Sequence, residues 1–110
     1  MTILITGGAG FIGSHLVDHL FSKTDHHLHV LDNFSTGSAN NLSHIQSDRL
    51  KLIDGDVRDT NLVAEHVASA DRVYHLAAAV GVERIVDNPL NSLQTNLEGT
   101  ENVLSAAAAH

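Results

Sequence analysis

The 110-residue chain contains no cysteine, which excludes disulfide bonds, thiolate zinc sites and a cysteine nucleophile. Basic residues are also few: 6 lysines and arginines stand against 13 aspartates and glutamates, and the formal net charge is −7. Without a basic stripe there is nothing to displace counterions from a phosphate backbone, so we expect no nucleic-acid partner. Apolar runs stay far below the roughly 20 residues of a membrane span, so we expect no membrane partner.

The residues that are present have the composition of one small globular domain. Hydrophobic residues make up 43% and charged residues 17% of the chain, and this length allows a single core. The first residues, "MTILITGG", include neither a basic stretch nor a signal-like apolar segment. From these features we expect a soluble, cytoplasmic protein.

Short apolar runs rich in β-branched residues alternate with helical patterns. Four strands are predicted at "TILIT" (2–6), "HLHVLD" (27–32), "RLKLIDGD" (49–56) and "RVYHLAA" (72–78). Three helices are predicted at "FIGSHLVDHLFSK" (11–23), "TNLVAEHVAS" (60–69) and "NPLNSLQTNLEGTENVLSAAAAH" (88–110). Strands that alternate with helices predict right-handed βαβ units, and therefore an α/β fold with a parallel sheet.

Local signals refine these elements. Asn88 suits the N-cap of the last helix, and Pro89, the only proline, suits its first position. Asp59 or Thr60 can cap the second helix. The segment rich in Ser, Asn and Gly after the second strand predicts a loop with one helical turn near Asn41. The packed stripe of the last helix is predicted to contain Leu90, Leu93, Leu97, Val103, Leu104 and Ala107.

Four glycines lie in "TGGAGFIGSHL" (6–16), between the first strand and the first helix. Glycines in such a turn let the backbone bend sharply and approach a diphosphate, while the helix N-terminus offers unpaired N–H groups and a positive dipole end. Residues 8–13 also satisfy the G-x-G-x-x-G pattern, which is weak alone but gains weight between a strand and a helix. We predict a phosphate cradle here, with a tight turn that binds nothing as the alternative.

Asp32 is the second signal, because it ends the second strand about 20 residues after the glycines, where a dinucleotide-binding fold places the acid that binds the adenosine ribose. A carboxylate at this position repels a 2′-phosphate, and Asn33 and Phe34 supply no compensating arginine. The prediction is therefore NAD rather than NADP. A solvated acid at a strand end is the alternative interpretation.

With these residues placed, the chain resembles the extended short-chain dehydrogenase/reductase family, and within it the NAD-dependent nucleotide-sugar epimerases, dehydratases and decarboxylases. The segments that carry the resemblance are "TGGAGFIGSHLVDHL", "LDNFSTG", "GDVRD", "HLAA" and "NPLNSLQTNLEGTENVL", in the family's order. The resemblance covers essentially the whole chain. It implies half of a doubly wound (Rossmann) parallel sheet, with about four strands in the order 3-2-1-4 and flanking helices.

The resemblance also implies cofactor contacts by position. Phosphate contacts are implied at Gly7, Gly10, Phe11, Ile12 and Gly13. Ribose and adenine contacts are implied at Asp32, Asn33, Ser35, Thr36 and Gly37, with Asp56 accepting from the adenine amino group and the Val57 backbone beside it. The nicotinamide-ribose side is implied at Leu76, Ala77 and Ala78, with Asn96 organising backbone and water nearby and Gly99 allowing a close approach.

The catalytic pair of the family has no counterpart in this chain. The family uses Tyr-x-x-x-Lys, in which the lysine lowers the pKa of the tyrosine so that it removes a proton from a sugar hydroxyl. Here the only tyrosine is Tyr74, Ala78 stands four residues later, and Lys23 and Lys51 lie far upstream. We therefore expect residues 1–110 to be a truncated NAD-binding domain with no catalytic residue, whose full-length parent binds a nucleotide sugar. The alternative is a non-catalytic NAD sensor or scaffold.

Other polar clusters are given structural interpretations, and we predict no metal site. His15 and His19 have a spacing that can bind a metal, but no third ligand is evident, which favours a solvated helix face. Asp54 and Asp56 lack the further acidic ligands of a calcium loop. His75 is predicted to pack under a helix, and Ser14 to cap or pack.

The sequence also predicts a homo-oligomer, most simply a dimer. The fourth strand, "RVYHLAA", would form an apolar edge of the sheet, and such edges tend to pair. The long last helix that begins at Pro89 is the second candidate surface.

Overall fold

The computed structural model describes residues 1–34, 38–77 and 89–109. The strands are β1 (Thr2–Thr6), β2 (His27–Asp32), β3 (Leu50–Asp54) and β4 (Arg72–His75). The helices are α1 (Phe11–Lys23), α2 (Thr60–Ala68) and α3 (Pro89–Ala109), with a short 3-10 helix at Ala39–Leu42. β1, β2 and α1 have the predicted bounds, and the 3-10 helix confirms the predicted turn near Asn41. Asn88 lies outside the described residues.

The four strands form one parallel sheet in the order β3-β2-β1-β4, which confirms the predicted half of a doubly wound sheet. β1 lies between β2 and β4, and its residues from Ile3 to Thr6 are buried. Thr6 pairs with Leu31 on one side and with His75 on the other. Since all strands are parallel, their carboxyl ends meet at one edge of the sheet, and the switch in strand order lies between β1 and β4.

Successive side chains of β1 point to opposite faces of the sheet and pack in two separate hydrophobic clusters. Ile3 and Ile5 pack in a cluster with Val17 and Leu20 of α1. Leu4 packs in a second cluster on the opposite face, together with buried side chains of β2, α2 and α3 and of the turn before α2: Leu31, Val57, Val63, Val67, Val103 and Ala106. Burial on both faces explains why β1 is almost entirely apolar.

The predicted packed stripe of α3 was wrong in most positions. Leu90, Leu97 and Leu104 are 67%, 61% and 64% exposed, and Ala107 is also exposed, whereas the side chain of Leu93 lies outside the described part. The buried face instead contains Gly99, Val103 and Ala106. These residues also follow helical spacing, but they are small, because α3 lies too close to its neighbours to bury leucines there.

Two strands are shorter than predicted: β3 spans Leu50–Asp54 rather than 49–56, and β4 ends at His75 rather than at Ala78. The N–H of Leu76, the first residue after β4, donates to the Thr6 carbonyl at 3.0 Å. The N-cap of α2 is Asp59, whose Oδ1 accepts from the Leu62 N–H at 3.1 Å. Within the described ranges, no helix is long and apolar enough to cross a membrane.

Candidate functional site

The glycine turn between β1 and α1 lies at the carboxyl edge of the sheet, directly against the end of β4. Gly7 has a φ of +73°, a conformation that residues with a Cβ rarely adopt. A Cβ on Gly7 would also lie 2.7 Å from the Ala77 nitrogen and 2.8 Å from the Leu76 carbonyl carbon. The Gly7 N–H donates to the Leu31 carbonyl at 2.8 Å. The turn therefore joins the ends of β1, β2 and β4.

The next glycines differ in how strictly they are required. A Cβ on Gly13 would collide with the Gly7 carbonyl oxygen and would lie 2.8 Å from the Gly8 Cα. A Cβ on Gly8 would lie 2.7 Å from Cγ1 of Val30. At Gly10 the nearest atom is the Gly7 oxygen at 3.4 Å. Close approach of backbone to backbone thus leaves no space for a side chain at Gly7 and Gly13.

α1 begins with its positive end free of side-chain caps. Gly10 is the N-cap and contributes no side-chain hydrogen bond, and the first turn contains no acidic residue. The first N–H groups of a helix lack intrahelical partners, so those of Phe11, Ile12 and Gly13 are available to an anion. The side chains of Phe11 and Ile12 are 79% and 72% exposed. The N-terminus of α1 therefore combines N–H donors of the kind that suits an anion with exposed apolar surface.

Asp32 lies at the end of β2, as predicted, and is only 8% exposed. The Ala9 N–H donates to its Oδ2 at 3.1 Å, and the Phe34 N–H donates to its Oδ1 at 2.8 Å. Phe34 has a φ of +57°, and this bond helps to hold that conformation. The carboxylate thus connects the glycine turn to the turn that follows β2. The predicted ribose and adenine residues Ser35, Thr36 and Gly37 lie outside the described residues.

Asp56 lies in the turn after β3 and is held by its neighbours. The Arg58 guanidinium Nη2 donates to Asp56 Oδ2 at 2.8 Å, and the Arg58 N–H donates to Oδ1 at 2.9 Å. These bonds from Arg58, and a smaller contribution from the Asn33 side chain, lower the pKa of Asp56 although burial opposes the shift. The carboxylate therefore stays ionised, as an acceptor for an amino group requires.

Val57 follows Asp56 and packs directly against α3. A Cβ on Gly99 would lie 2.5 Å from Val57 Cγ2, which confirms that α3 makes a close approach at this glycine. The Asn102 side chain donates from Nδ2 to the Val57 carbonyl at 2.9 Å, and its Oδ1 accepts from the Thr60 hydroxyl at 3.2 Å. α3 thereby fixes the backbone of the turn where the adenine contact is predicted.

The segment after β4 is the last part of the site. Leu76 is 39% exposed, and its N–H lies 3.1 Å from Thr6 Oγ1, while the Ala77 N–H donates to the same oxygen at 3.2 Å. Ala78 lies outside the described residues. Asn96 lies half-buried on α3, three residues before Gly99.

The structure thus brings the glycine turn, Asp32 and the Leu76–Ala77 segment together at the switch point, and it connects Val57, the residue after Asp56, to α3. Sequence reasoning assigned no role to three contributors: Thr6, Arg58 and Asn102. The hydrogen-bond partners of Thr6 and Asn102 lie 42 to 71 residues away in sequence, so no local pattern marks them. Arg58 is the exception, since an arginine two residues after an acid was visible in "GDVRD".

Histidine clusters contribute nothing further to the site. His15 and His19 are exposed on α1, as predicted. Among the residues that the structure describes, no group of three or more His, Asp or Glu side chains could hold a metal ion.

Comparison with known proteins gives consistent matches. The model of a family described as GDP-mannose 4,6 dehydratase matches residues 4–110. UDP-glucuronic acid decarboxylase 1 of Arabidopsis thaliana is 42% identical over 108 residues, which cover 97% of this chain and 23% of that protein. A dTDP-glucose 4,6-dehydratase from Streptomyces venezuelae, solved with NAD bound, has a TM-score of 0.90 at 35% identity, over 97% of this chain and 35% of that one.

A third match is a UDP-glucose 4-epimerase of Thermus thermophilus in complex with NAD, with a TM-score of 0.81 at 35% identity. It covers 96% of this chain and 33% of the epimerase. The chain therefore spans about a quarter to a third of the length of these relatives.

Proposed function

The chain belongs to the GDP-mannose 4,6 dehydratase family, and from that premise we propose that it is the NAD-binding part of a nucleotide-sugar epimerase, dehydratase or decarboxylase. The observation that carries this proposal is the junction at which the glycine turn packs against the Leu76–Ala77 segment after β4, with Asp32 beside it. A Cβ at Gly7 or Gly13 would clash with neighbouring backbone atoms. The buried carboxylate of Asp32 accepts a hydrogen bond from the Ala9 N–H in the same turn. These residues fit a dinucleotide.

Each part of the junction has a role in this proposal. The N–H groups at the start of α1 bind the diphosphate, and its dipole favours the negative charge. Asp32 accepts from a ribose hydroxyl with the lone pairs that its two backbone bonds leave unused. Asp56 accepts from the adenine amino group, and Leu76 and Ala77 line the nicotinamide-ribose side. Exposed Phe11 and Ile12 supply apolar surface for the cofactor to cover.

In the whole protein the reaction would be transient hydride transfer from a sugar carbon to NAD and back. Bound NAD supplies the hydride acceptor, whereas this chain's residues bind and orient it. A proton acceptor for the sugar hydroxyl is a separate requirement. The only tyrosine, Tyr74, is half-buried within β4 and has no lysine four residues later. We therefore expect the 110 residues to bind NAD without turning over a sugar nucleotide, in a cytoplasmic location.

A calorimetric titration of this chain with NAD and with NADP tests the proposal. We expect NAD to bind and NADP to bind at least about tenfold more weakly, because a 2′-phosphate would meet the Asp32 carboxylate. Asp32→Asn should weaken NAD binding and reduce the difference in affinity between NAD and NADP. Asp25→Asn is the matched control, since it removes the same charge at an exposed position before β2. Absence of heat with both dinucleotides would contradict the proposal.

The homodimer is also a proposal, supported by α3. Leu90, Leu97 and Leu104 recur every seven residues and all are exposed, a spacing that allows two helices to pack side by side. We expect sedimentation equilibrium to give a mass near twice 11.7 kDa. The double variant Leu97→Glu, Leu104→Glu should give a monomer, whereas Leu52→Glu, at an exposed position on β3, should not. A concentration-independent monomer of the unmodified chain would refute the dimer.

A further inference from the structure

A chain of hydrogen bonds runs through the end of β1 and reaches α3. Thr6 is fully buried, and its Oγ1 accepts from the N–H groups of Leu76 at 3.1 Å and Ala77 at 3.2 Å. The same oxygen lies 2.6 Å from Nδ1 of His75. The other ring nitrogen of His75, Nε2, lies 3.2 Å from the Thr100 hydroxyl on α3.

Counting donors and acceptors determines where the proton of the His75 ring lies. A hydroxyl has one proton to donate and two lone pairs to accept with. Both lone pairs of Thr6 Oγ1 face backbone N–H groups, of which the Leu76 N–H is shared between this oxygen at 3.1 Å and the Thr6 carbonyl at 3.0 Å. The hydroxyl must therefore donate to His75, so Nδ1 carries no proton and Nε2 does. This is the neutral tautomer that donates to Thr100, and the hydrogen bond of one nitrogen selects the protonation of the other.

The position of the Leu76–Ala77 segment matters because the glycine turn leaves it no space. A Cβ on Gly7 would lie within 3 Å of the Ala77 nitrogen, the Ala77 Cα and the Leu76 carbonyl carbon. The backbone of the segment is therefore packed directly onto the turn. Because Thr6 is bonded to this segment, its hydroxyl contributes to holding the segment against the glycine turn.

We propose that His75 is a positioning residue for the cofactor: its neutral ring, protonated on Nε2, orients the Thr6 hydroxyl so that the segment after β4 stays seated against the glycine turn. This inference rests on the proposed NAD site. A protonated ring carries a proton on Nδ1 as well, which would point at the Thr6 oxygen. Thr6 Oγ1 would then face three donors with two lone pairs and would lose one of its two bonds to the segment. Only the remaining bond and the bond from the Leu76 N–H to the Thr6 carbonyl would then hold the segment.

The surroundings of His75 favour its neutral form. The groups that face the ring are uncharged hydroxyls, Thr6 from β1 and Thr100 from α3. Partial burial lowers the pKa of His75, and no charged group in the described ranges contributes to that shift. At neutral pH the ring therefore holds the orientation that the network needs, and protonation is confined to acidic pH.

Two variants separate the contributions of the two ring nitrogens. In His75→Asn the side-chain oxygen replaces Nδ1 as the acceptor for Thr6, without a group that titrates. In His75→Gln the amide nitrogen replaces Nε2 as the donor to Thr100, and Thr6 loses its acceptor. If the inference is correct, the NAD affinity of His75→Asn should stay within about twofold of that of the unmodified chain at pH 7.5. The NAD affinity of His75→Gln should be weaker by about fivefold or more.

The pH profile is the readout that a merely structural role would not change. For the unmodified chain, NAD affinity should fall about tenfold for each pH unit below the pKa of His75, since only the neutral form is competent. His75→Asn should remove this component, although every other histidine remains. Thermal unfolding of each variant at pH 7.5 identifies any variant that fails to fold. If His75→Gln fails to fold, the pH profile of His75→Asn alone tests the inference.

Nitrogen-15 NMR of the free chain tests the tautomer without any cofactor. We expect an unprotonated Nδ1 and a protonated Nε2 at pH 7.5, and slowed hydrogen exchange at the Leu76 and Ala77 amides that is lost on acidification. The opposite tautomer, or the same pH profile in His75→Asn as in the unmodified chain, would overturn the inference. No NAD binding together with the expected tautomer and exchange would instead refute the proposed function and leave the network itself established.

Discussion

At the residue scale, the glycines of the turn are not equivalent, and this gives a direct prediction about stability. Gly13→Ala places a Cβ against the Gly7 carbonyl oxygen and the Gly8 backbone, which cannot move without distorting the turn. We expect a loss of about 1–3 kcal/mol in the free energy of unfolding, the usual effect of overpacking. Urea denaturation with circular dichroism measures it.

Gly10→Ala is the matched control for that substitution. The new Cβ would meet only the Gly7 oxygen at 3.4 Å, and the φ of −77° is open to any residue. Its free energy of unfolding should stay within about 1 kcal/mol of the unmodified chain. Equal losses at the two positions would show that the turn needs flexibility rather than close approach.

Single residues also show the limit of what the sequence reveals. Spacing alone predicted Asp32 and the glycines as site residues, because they follow local rules of strand, turn and helix. It did not show that Asp32 accepts from Ala9, or that the Thr6 hydroxyl is hydrogen-bonded to His75. Such bonds join residues that are far apart in sequence, and they appear only when the register of the parallel strands is known.

At the element scale, α3 is positioned by the smallest residue on its buried face. Gly99→Ala should raise intrinsic helix propensity by about 1 kcal/mol. However, the new Cβ would lie 2.5 Å from Val57 Cγ2 and 3.2 Å from its Cβ, and overpacking costs about 1–3 kcal/mol. We expect the steric effect to win and the urea midpoint to fall.

Ser105→Ala provides the comparison, since it raises propensity at an exposed position of the same helix and should be neutral or stabilising. The double variant Gly99→Ala, Val57→Ala should recover stability relative to the sum of the single losses, because the two side chains compete for one space. A stabilised Gly99→Ala would mean that α3 moves away from Val57 freely.

The elements themselves were largely predictable, and the errors have physical causes. Strand and helix periods gave β1, β2 and α1 with their observed bounds, and the alternation of strands and helices indicated a parallel sheet. The buried face of α3 was missed because the prediction weighted large apolar side chains. Where α3 approaches its neighbours at Gly99, it buries Val103 and Ala106 and leaves Leu97 and Leu104 exposed. The buried face therefore depends on the distance between α3 and its neighbours, which the sequence pattern does not contain.

At the scale of the whole molecule, the free energy of unfolding should depend on pH through two histidines. Burial lowers the pKa of His29, with smaller effects from Lys51, His66 and His27, and burial also lowers the pKa of His75. Nδ1 of His29 is buried without a hydrogen-bond partner in the described ranges. Both rings therefore resist protonation in the folded state more than in the unfolded chain.

The sign of the effect follows from proton uptake. Below the unfolded value of 6.5, the unfolded chain binds more protons than the folded chain, so stability falls as the pH falls and is fully present above that value. Urea denaturation should give a lower free energy of unfolding at pH 5.5 than at pH 7.5. His29→Gln and His75→Asn should each reduce that difference, whereas His19→Gln, at an exposed position of α1, should leave it unchanged. The lowered pKa of Asp56 affects stability only near and below its ordinary value of 3.8, so this carboxylate contributes little between pH 5.5 and 7.5. Equal free energies of unfolding at the two pH values would contradict a lowered pKa of His29 and His75 in the folded chain.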